Sequence, residues 1–113
     1  MRFTVSLREN YIFQRLYRSG KSLVTPWIVV YFRYNHLDVS RLGITTSKKI
    51  GGAVQRNRAR RIVKEAYRIL EPRLKKGFDI VIVVRRKAVY ANMWDINKSL
   101  EHALKNSPMI YKD

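Results

Sequence analysis

The chain contains no cysteine. That excludes a disulfide framework, a thiolate metal site and a cysteine nucleophile, and it suits a reducing cytoplasm. Acids are scarce: 8 Asp and Glu stand against 24 Lys and Arg, giving a formal net charge of +16. Glu9, Asp38, Glu65, Glu71, Asp79, Asp95, Glu101 and Asp113 are scattered singly, which offers no carboxylate cluster for the hard cation of a metal-dependent nuclease. Long apolar runs are missing too. WIVVYF and FDIVIVV are only strand-sized, and Arg2, Arg8 and Glu9 interrupt the N-terminal stretch MRFTVSLREN, so neither a signal peptide nor a membrane partner is expected. Internal repeats and low-complexity tracts are absent from the sequence.

What remains is enough for one core. The 113 residues, 46% of them hydrophobic, predict a single globular, soluble domain spanning 1–113 rather than a disordered chain. A net charge this large repels itself in the folded state, and a polyanion relieves that repulsion. Nucleic acid is the first candidate partner.

Apolar periodicity divides the chain into elements. Ser6 and Glu9 fit a capping box, and Leu7, Ile12, Phe13, Leu16 and Tyr17 recur at helical spacing up to Gly20, predicting a first helix over 7–18. Trp27–Tyr34 and Arg41–Thr46 are extended runs separated by Asn35–Asp38, which suggests a hairpin. Pro26 keeps any short preceding strand off a central position. A helix is expected from Ala53 to about Leu70, ending before Pro72, with a turn at Lys75, Lys76 and Gly77. FDIVIVV, apolar on both faces, predicts a central strand at Phe78–Val84. Asn92 caps a last helix with Met93, Ile96, Leu100, Ala103 and Leu104 inward and Glu101 and Lys105 one turn apart. The tail after Ser107 is expected to be loose.

The segment SKKIGGAVQRNRARRIVKEAYR, from Ser47 to Arg68, holds eight lysines and arginines and one acid, Glu65. At 100° per residue Ala59, Ile62, Val63, Ala66, Ile69 and Leu70 share one side of the predicted helix, opposite Arg56, Asn57, Arg60, Arg61, Lys64 and Arg68. A merely solvated face would intersperse acids at i, i+4 spacing, and this one does not. Arg58 projects to the margin of the apolar face, where its stem can pack and its head hydrogen-bond locally. Lys48 and Lys49 precede the helix, with Gly51 and Gly52 permitting a tight turn or close approach to another molecule. Loop amides and the helix N-terminus favour phosphate, and six to eight phosphate contacts would give a log–log salt slope of roughly 0.7–0.9 per contact.

As an ordered unit, GITTSKKIGGAVQRNRARRIVKEAYR resembles the signature of the bacterial ribonuclease P protein family: a Ser-Lys-Lys loop followed by an RNR helix, here Arg56, Asn57 and Arg58. An aromatic N-terminal helix ending in YRSG, an aromatic strand, IVIVV and a C-terminal helix extend the resemblance over about Leu7 to Tyr111. The resemblance implies an α+β fold, a single-domain αβββαβα sandwich of a type also found in a ribosomal protein. Its mixed sheet contains a left-handed βαβ crossover, against the usual right-handed rule. It also implies a protein subunit beside a catalytic RNA that removes the 5′ leader of precursor tRNA. Magnesium is carried by the RNA, with none bound directly by the protein, no catalytic residue in the chain and no obligate protein partner.

Three surfaces follow from the resemblance. Ser47, Lys48, Lys49, Arg56, Asn57, Arg58, Arg60, Arg61, Lys64 and Arg68 would face the RNA. Phe13, Tyr17 and Tyr31 would line a cleft for the single-stranded leader, where aromatic faces stack with bases at ~1–3 kcal/mol each and little sequence demand. From periodicity alone these three rings read as core. Arg85, Arg86 and Lys87 would form a weaker RNA-binding patch. Composition alone equally fits a small structural rRNA-binding protein. A basic helix in a DNA major groove, and His36 with His102 as the acid–base pair of a metal-free ribonuclease, are further alternatives.

Overall fold

FDIVIVV offers no polar face to water, so it has to be covered on both sides. The computed structural model, which describes residues 1–105 and 107–110, does this with helices on both faces of one sheet. The elements are β1 (Thr4–Ser6), α1 (Asn10–Ser19), β2 (Lys21–Val24), β3 (Ile28–Tyr34), β4 (Ser40–Thr45), α2 (Ala53–Leu70), β5 (Phe78–Val84) and α3 (Met93–Leu104). Short 3₁₀ turns lie at Lys48–Ile50, Glu71–Arg73 and Arg86–Tyr90. The sheet order is β1-β4-β5-β3-β2, with β5 central as expected. β4 and β5 are parallel neighbours joined through α2, while β3 is antiparallel to β5 and β2. This is the mixed α+β sandwich that the resemblance implies, with β1 added at its edge.

The expected pairing of Trp27–Tyr34 with Arg41–Thr46 does not form, because β5 lies between them. Arg41 and Asp79 stand opposite each other on β4 and β5, and their side chains pair through two bonds of 2.7 and 2.8 Å. Asn35 donates to Asp79 (3.0 Å) and to the Val39 carbonyl (3.1 Å), fastening the β3–β4 connection to the inserted strand. A paired, buried carboxylate thus satisfies the one polar position of β5. The hairpin that does form joins β2 to β3. Thr25 turns it by exchanging hydrogen bonds with Ile28, and β2 occupies the edge position that Pro26 demands.

The first helix begins at Asn10, not at residue 7. Ser6 is taken up by β1, which runs parallel to β4, and the Leu7 N–H donates to the Leu42 carbonyl at 2.9 Å. Glu9 holds the cap position without a side-chain cap bond. Leu7, Ile12 and Leu16 pack on Val81, while α2 and α3 cover the opposite face of the sheet. In α2 the buried stripe is Ala59, Val63, Ala66, Tyr67 and Leu70; Ile62 is half-buried, and Ile69, expected inward, is exposed while Tyr67 takes the inner place. Asn92 caps α3 in a reciprocal capping box with Asp95. The buried Asn97 donates to the Ala66 carbonyl at 3.1 Å, linking α3 to α2, and Glu101 pairs with Arg73.

The segment after Ser107 is not loose where it is described. Met109 and Ile110 are buried, Ile110 bridges to Leu74, and the Lys75 N–H donates to the Met109 carbonyl at 2.6 Å. Two apolar side chains excluded from water offset the entropy of ordering this piece. The expectation for 106 and 111–113 lies outside the described residues. Among the described residues, no helix is long and apolar enough to cross a membrane.

β1 is held by an unusual anchor. Glu71, 1% exposed, accepts the backbone N–H groups of Arg2 (2.5 Å) and Phe3 (3.4 Å), and the Thr4 hydroxyl is 3.0 Å from that of Tyr67. Burial opposes the charge on Glu71, but the Thr4 hydroxyl, the Arg2 and Phe3 amides and the N-terminal ammonium outweigh it and hold its pKa below the ordinary value of 4.5. Burial also pushes the Tyr67 hydroxyl well above its ordinary value.

Candidate nucleic-acid interface

Ser47 opens the interface by accepting the Lys49 N–H on its hydroxyl at 3.2 Å, which caps the turn Lys48–Ile50. Ile50 is buried and anchors the turn, while Lys48 and Lys49 project into solvent. Gly51 then adopts φ 138°, a backbone conformation that excludes ordinary side chains, so a glycine is required to swing the chain into α2. The serine of this loop is therefore a structural cap beneath two presented cations.

On α2, Asn57, Arg58, Arg60, Arg61, Lys64 and Arg68 are exposed and Arg56 is half-buried. These cations are not equivalent. Arg68 forms two bonds with Glu65, so most of its charge is answered within the helix. Asn57 accepts from Arg60 at 3.2 Å, aligning one guanidinium along the ridge. Arg58 donates to the Ala91 carbonyl at 3.4 Å, in keeping with its marginal position on the helical wheel. It ties α2 to the segment following β5. The Lys48–Ile50 and Arg86–Tyr90 turns are neighbours as well, and the exposed Arg85, Arg86 and Lys87 stand at the start of the second turn. Arg85 donates to the Thr25 carbonyl at 2.8 Å, and Lys87 lies 5.6 Å from the Trp27 ring centroid.

The three aromatic candidates lie on the α1 side of the sheet. Phe13 and Tyr31 are half-buried and Tyr17 is 39% exposed. Tyr17 and Tyr31 meet edge to face, their centroids 5.1 Å apart, an arrangement that orients the two rings against each other. Phe13 lies over Gly43 of β4.

A groove of about 680 Å³ wraps the open edge of β4 and joins the aromatic side to the cationic helix. Phe13, Leu42, Gly43 and Ile44 form its floor, residues Thr4 to Leu7 one wall, and Arg60, Arg61 and Lys64 the other. It exists because β1 pairs with β4 only as far as Leu42. Such a trough has an apolar base for ring faces and a positive bank for phosphates. The linear motif shows the bank, but the connection to Phe13 depends on the third dimension.

Most of the carboxylates are engaged elsewhere: Asp79 with Arg41, Glu65 with Arg68, Glu101 with Arg73, Asp38 with Lys76, Glu71 with β1 and Asp95 in its capping box. Among the described residues, no three His, Asp or Glu side chains group as metal ligands. His36, at φ 60° in the β3–β4 connection, stacks edge to face with Tyr34, and His102 lies on α3.

An α+β sandwich with a cationic helix set beside a groove lined by Phe13 is the class that this geometry defines. The ribonuclease P family model matches residues 1–107. The ribonuclease P protein component of Clostridioides difficile (strain 630) is 40% identical over 105 residues, covering 92% of each chain. The solved ribonuclease P protein of Staphylococcus aureus superposes with a TM-score of 0.83 at 34% identity, covering 94% of this chain and 97% of its own. That of Thermotoga maritima gives 0.80 at 37% identity, with 89% and 96% covered. The chain belongs to the ribonuclease P protein family.

Proposed function

We propose that this chain is the cytoplasmic protein subunit of ribonuclease P, binding the catalytic RNA and the 5′ leader of precursor tRNA while the RNA performs the hydrolysis. The observation that carries the reading is the groove, which joins Phe13 to Arg60, Arg61 and Lys64. Unpaired leader nucleotides stack on Phe13, Tyr17 and Tyr31 without demanding a sequence. The Lys48–Lys49 turn and the outer face of α2 neutralise phosphates of the catalytic RNA, with Asn57 orienting Arg60.

The mechanism is then differential binding. A leader is present in the precursor and gone from the product, so contacts in the groove favour the precursor alone. Magnesium, in this reading, is held by the RNA and its substrate; the protein contributes by lowering phosphate repulsion where the two RNAs approach. The engagement of Asp38, Glu65, Glu71, Asp79, Asp95 and Glu101 within the fold is in keeping with that assignment.

Reconstitution with a bacterial ribonuclease P RNA and a precursor tRNA at limiting magnesium tests the proposal. The expected result is stimulated release of the leader, with tighter binding of precursor than of mature tRNA. No stimulation, or an equal gain for both RNAs, overturns it.

A further inference from the structure

Tyr90 is 87% exposed, more than any other large apolar or aromatic side chain described. Packing does not account for it. The 3₁₀ turn that carries it is anchored by the buried Ala88 and half-buried Val89, so the ring adds little to the core. Its surroundings are cationic and concave: Tyr90 lines an open recess of about 570 Å³ with Pro26, Arg85, Arg86 and Lys87. Arg85 donates to the Thr25 carbonyl and Lys87 lies over the Trp27 ring, so two of the three cations on this rim have anchors. The turn also abuts Lys48–Ile50, and Ala91, the next residue, receives the hydrogen bond from Arg58.

We propose that Tyr90 is a second base-stacking site, taking one unpaired RNA base on its ring while Arg86 and Lys87 meet the flanking phosphates. An aromatic face beside clustered cations is an arrangement that suits single-stranded nucleic acid: stacking supplies sequence-tolerant affinity and the guanidinium and ammonium groups hold the backbone. The inference rests on the RNA-binding reading of the adjoining surface and deepens it. The base can come from the catalytic RNA or from upstream leader nucleotides, and the two sources separate experimentally.

Tyr90→Ala, Tyr90→Phe and Tyr90→Trp are compared with the unaltered protein in two measurements: affinity for a bacterial ribonuclease P RNA alone, and affinity of the assembled holoenzyme for precursor tRNA with long and short leaders. The alanine variant is expected to lose about tenfold in one of the two, with Phe and Trp within about twofold of the original. Loss in the first identifies the catalytic RNA as the source; loss confined to the longer leader identifies the leader. Because no charge is removed, the log–log salt slope stays unchanged. Unchanged affinity in both measurements for Tyr90→Ala, with a thermal melt like that of the original, overturns the inference. Failure of the unaltered protein to bind the RNA would instead overturn the reading beneath it.

Discussion

Phe13 lies across Gly43 so closely that a Cβ built on the glycine would come within 2.4 Å of the ring's Cζ carbon. The absence of a side chain on β4 therefore sets the depth at which Phe13 rests and shapes the floor of the groove. Gly43→Ala is expected to lift or rotate the ring. Precursor affinity of the reconstituted holoenzyme should fall severalfold while affinity for the ribonuclease P RNA alone is retained. Equal loss in both would mean that the substitution disturbs the fold rather than the groove.

Tyr31→Ala removes both a stacking surface and the edge-to-face partner of Tyr17. The ratio of precursor to mature tRNA affinity should drop by about tenfold, the lower part of the range for one base–aromatic contact. Tyr31→Phe should preserve it. A ratio unaltered by the alanine substitution would remove Tyr31 from the leader site.

Arg60→Glu and Lys64→Glu reverse charges that are exposed on α2. Each should weaken RNA binding and reduce the log–log salt slope by about one phosphate contact or more. Arg68→Glu should do less, because Glu65 already engages that guanidinium. Titrations across a salt series decide the ranking; an effect of Arg68→Glu equal to that of Arg60→Glu would contradict it.

Glu71 predicts an acid-sensitive N-terminal strand. Its pKa is depressed in the folded chain, so its stabilising contribution is present above the ordinary value of 4.5 and is lost as pH falls below it through the folded value. Glu71→Gln should cost about 1–3 kcal/mol at neutral pH by leaving a charge-assisted set of hydrogen bonds incomplete. It should also flatten the decline in stability below pH 4.5. Denaturant melts at several pH values measure both, and parallel pH profiles for the two proteins would count against this role.

Local pattern and structure agree for β5 and for the start of α3, but not for Ser6 and Glu9, whose capping-box spacing is overridden when Ser6 pairs with Leu42 in β1. FDIVIVV identifies the central strand because a segment without a polar face has one environment open to it, and Asn92 with Asp95 marks a helix start through chemistry contained within four residues. The failures are non-local. Adjacent extended runs favour a hairpin, whereas β5 enters between them from 38 residues away in the Arg41–Asp79 pair. β1 is three residues long and owes its place to Glu71, which lies on the far side of three other strands in the chain. The cationic face follows directly from helical spacing. The expectation that Phe13, Tyr17 and Tyr31 form one surface came from the family resemblance, since periodicity also fits a buried role; of the three, Phe13 lines the groove and Tyr17 and Tyr31 pair with each other beside it. The groove, and the approach of the Arg86–Tyr90 turn to the Lys48–Ile50 turn, needed a fold that brings separated segments together.

The early end of β1 has a cost as well as a use. Past Leu42, no described strand covers the outer side of β4, and a bare strand edge invites pairing with another copy of the same chain. Arg60, Arg61 and Lys64 stand guard at that margin: a second molecule would have to bring its own like charges against them. The protein's positive field thus acts as a colloidal safeguard. At physiological ionic strength that repulsion reaches only about 8 Å, so unassembled chains are shielded from one another at contact range and little farther.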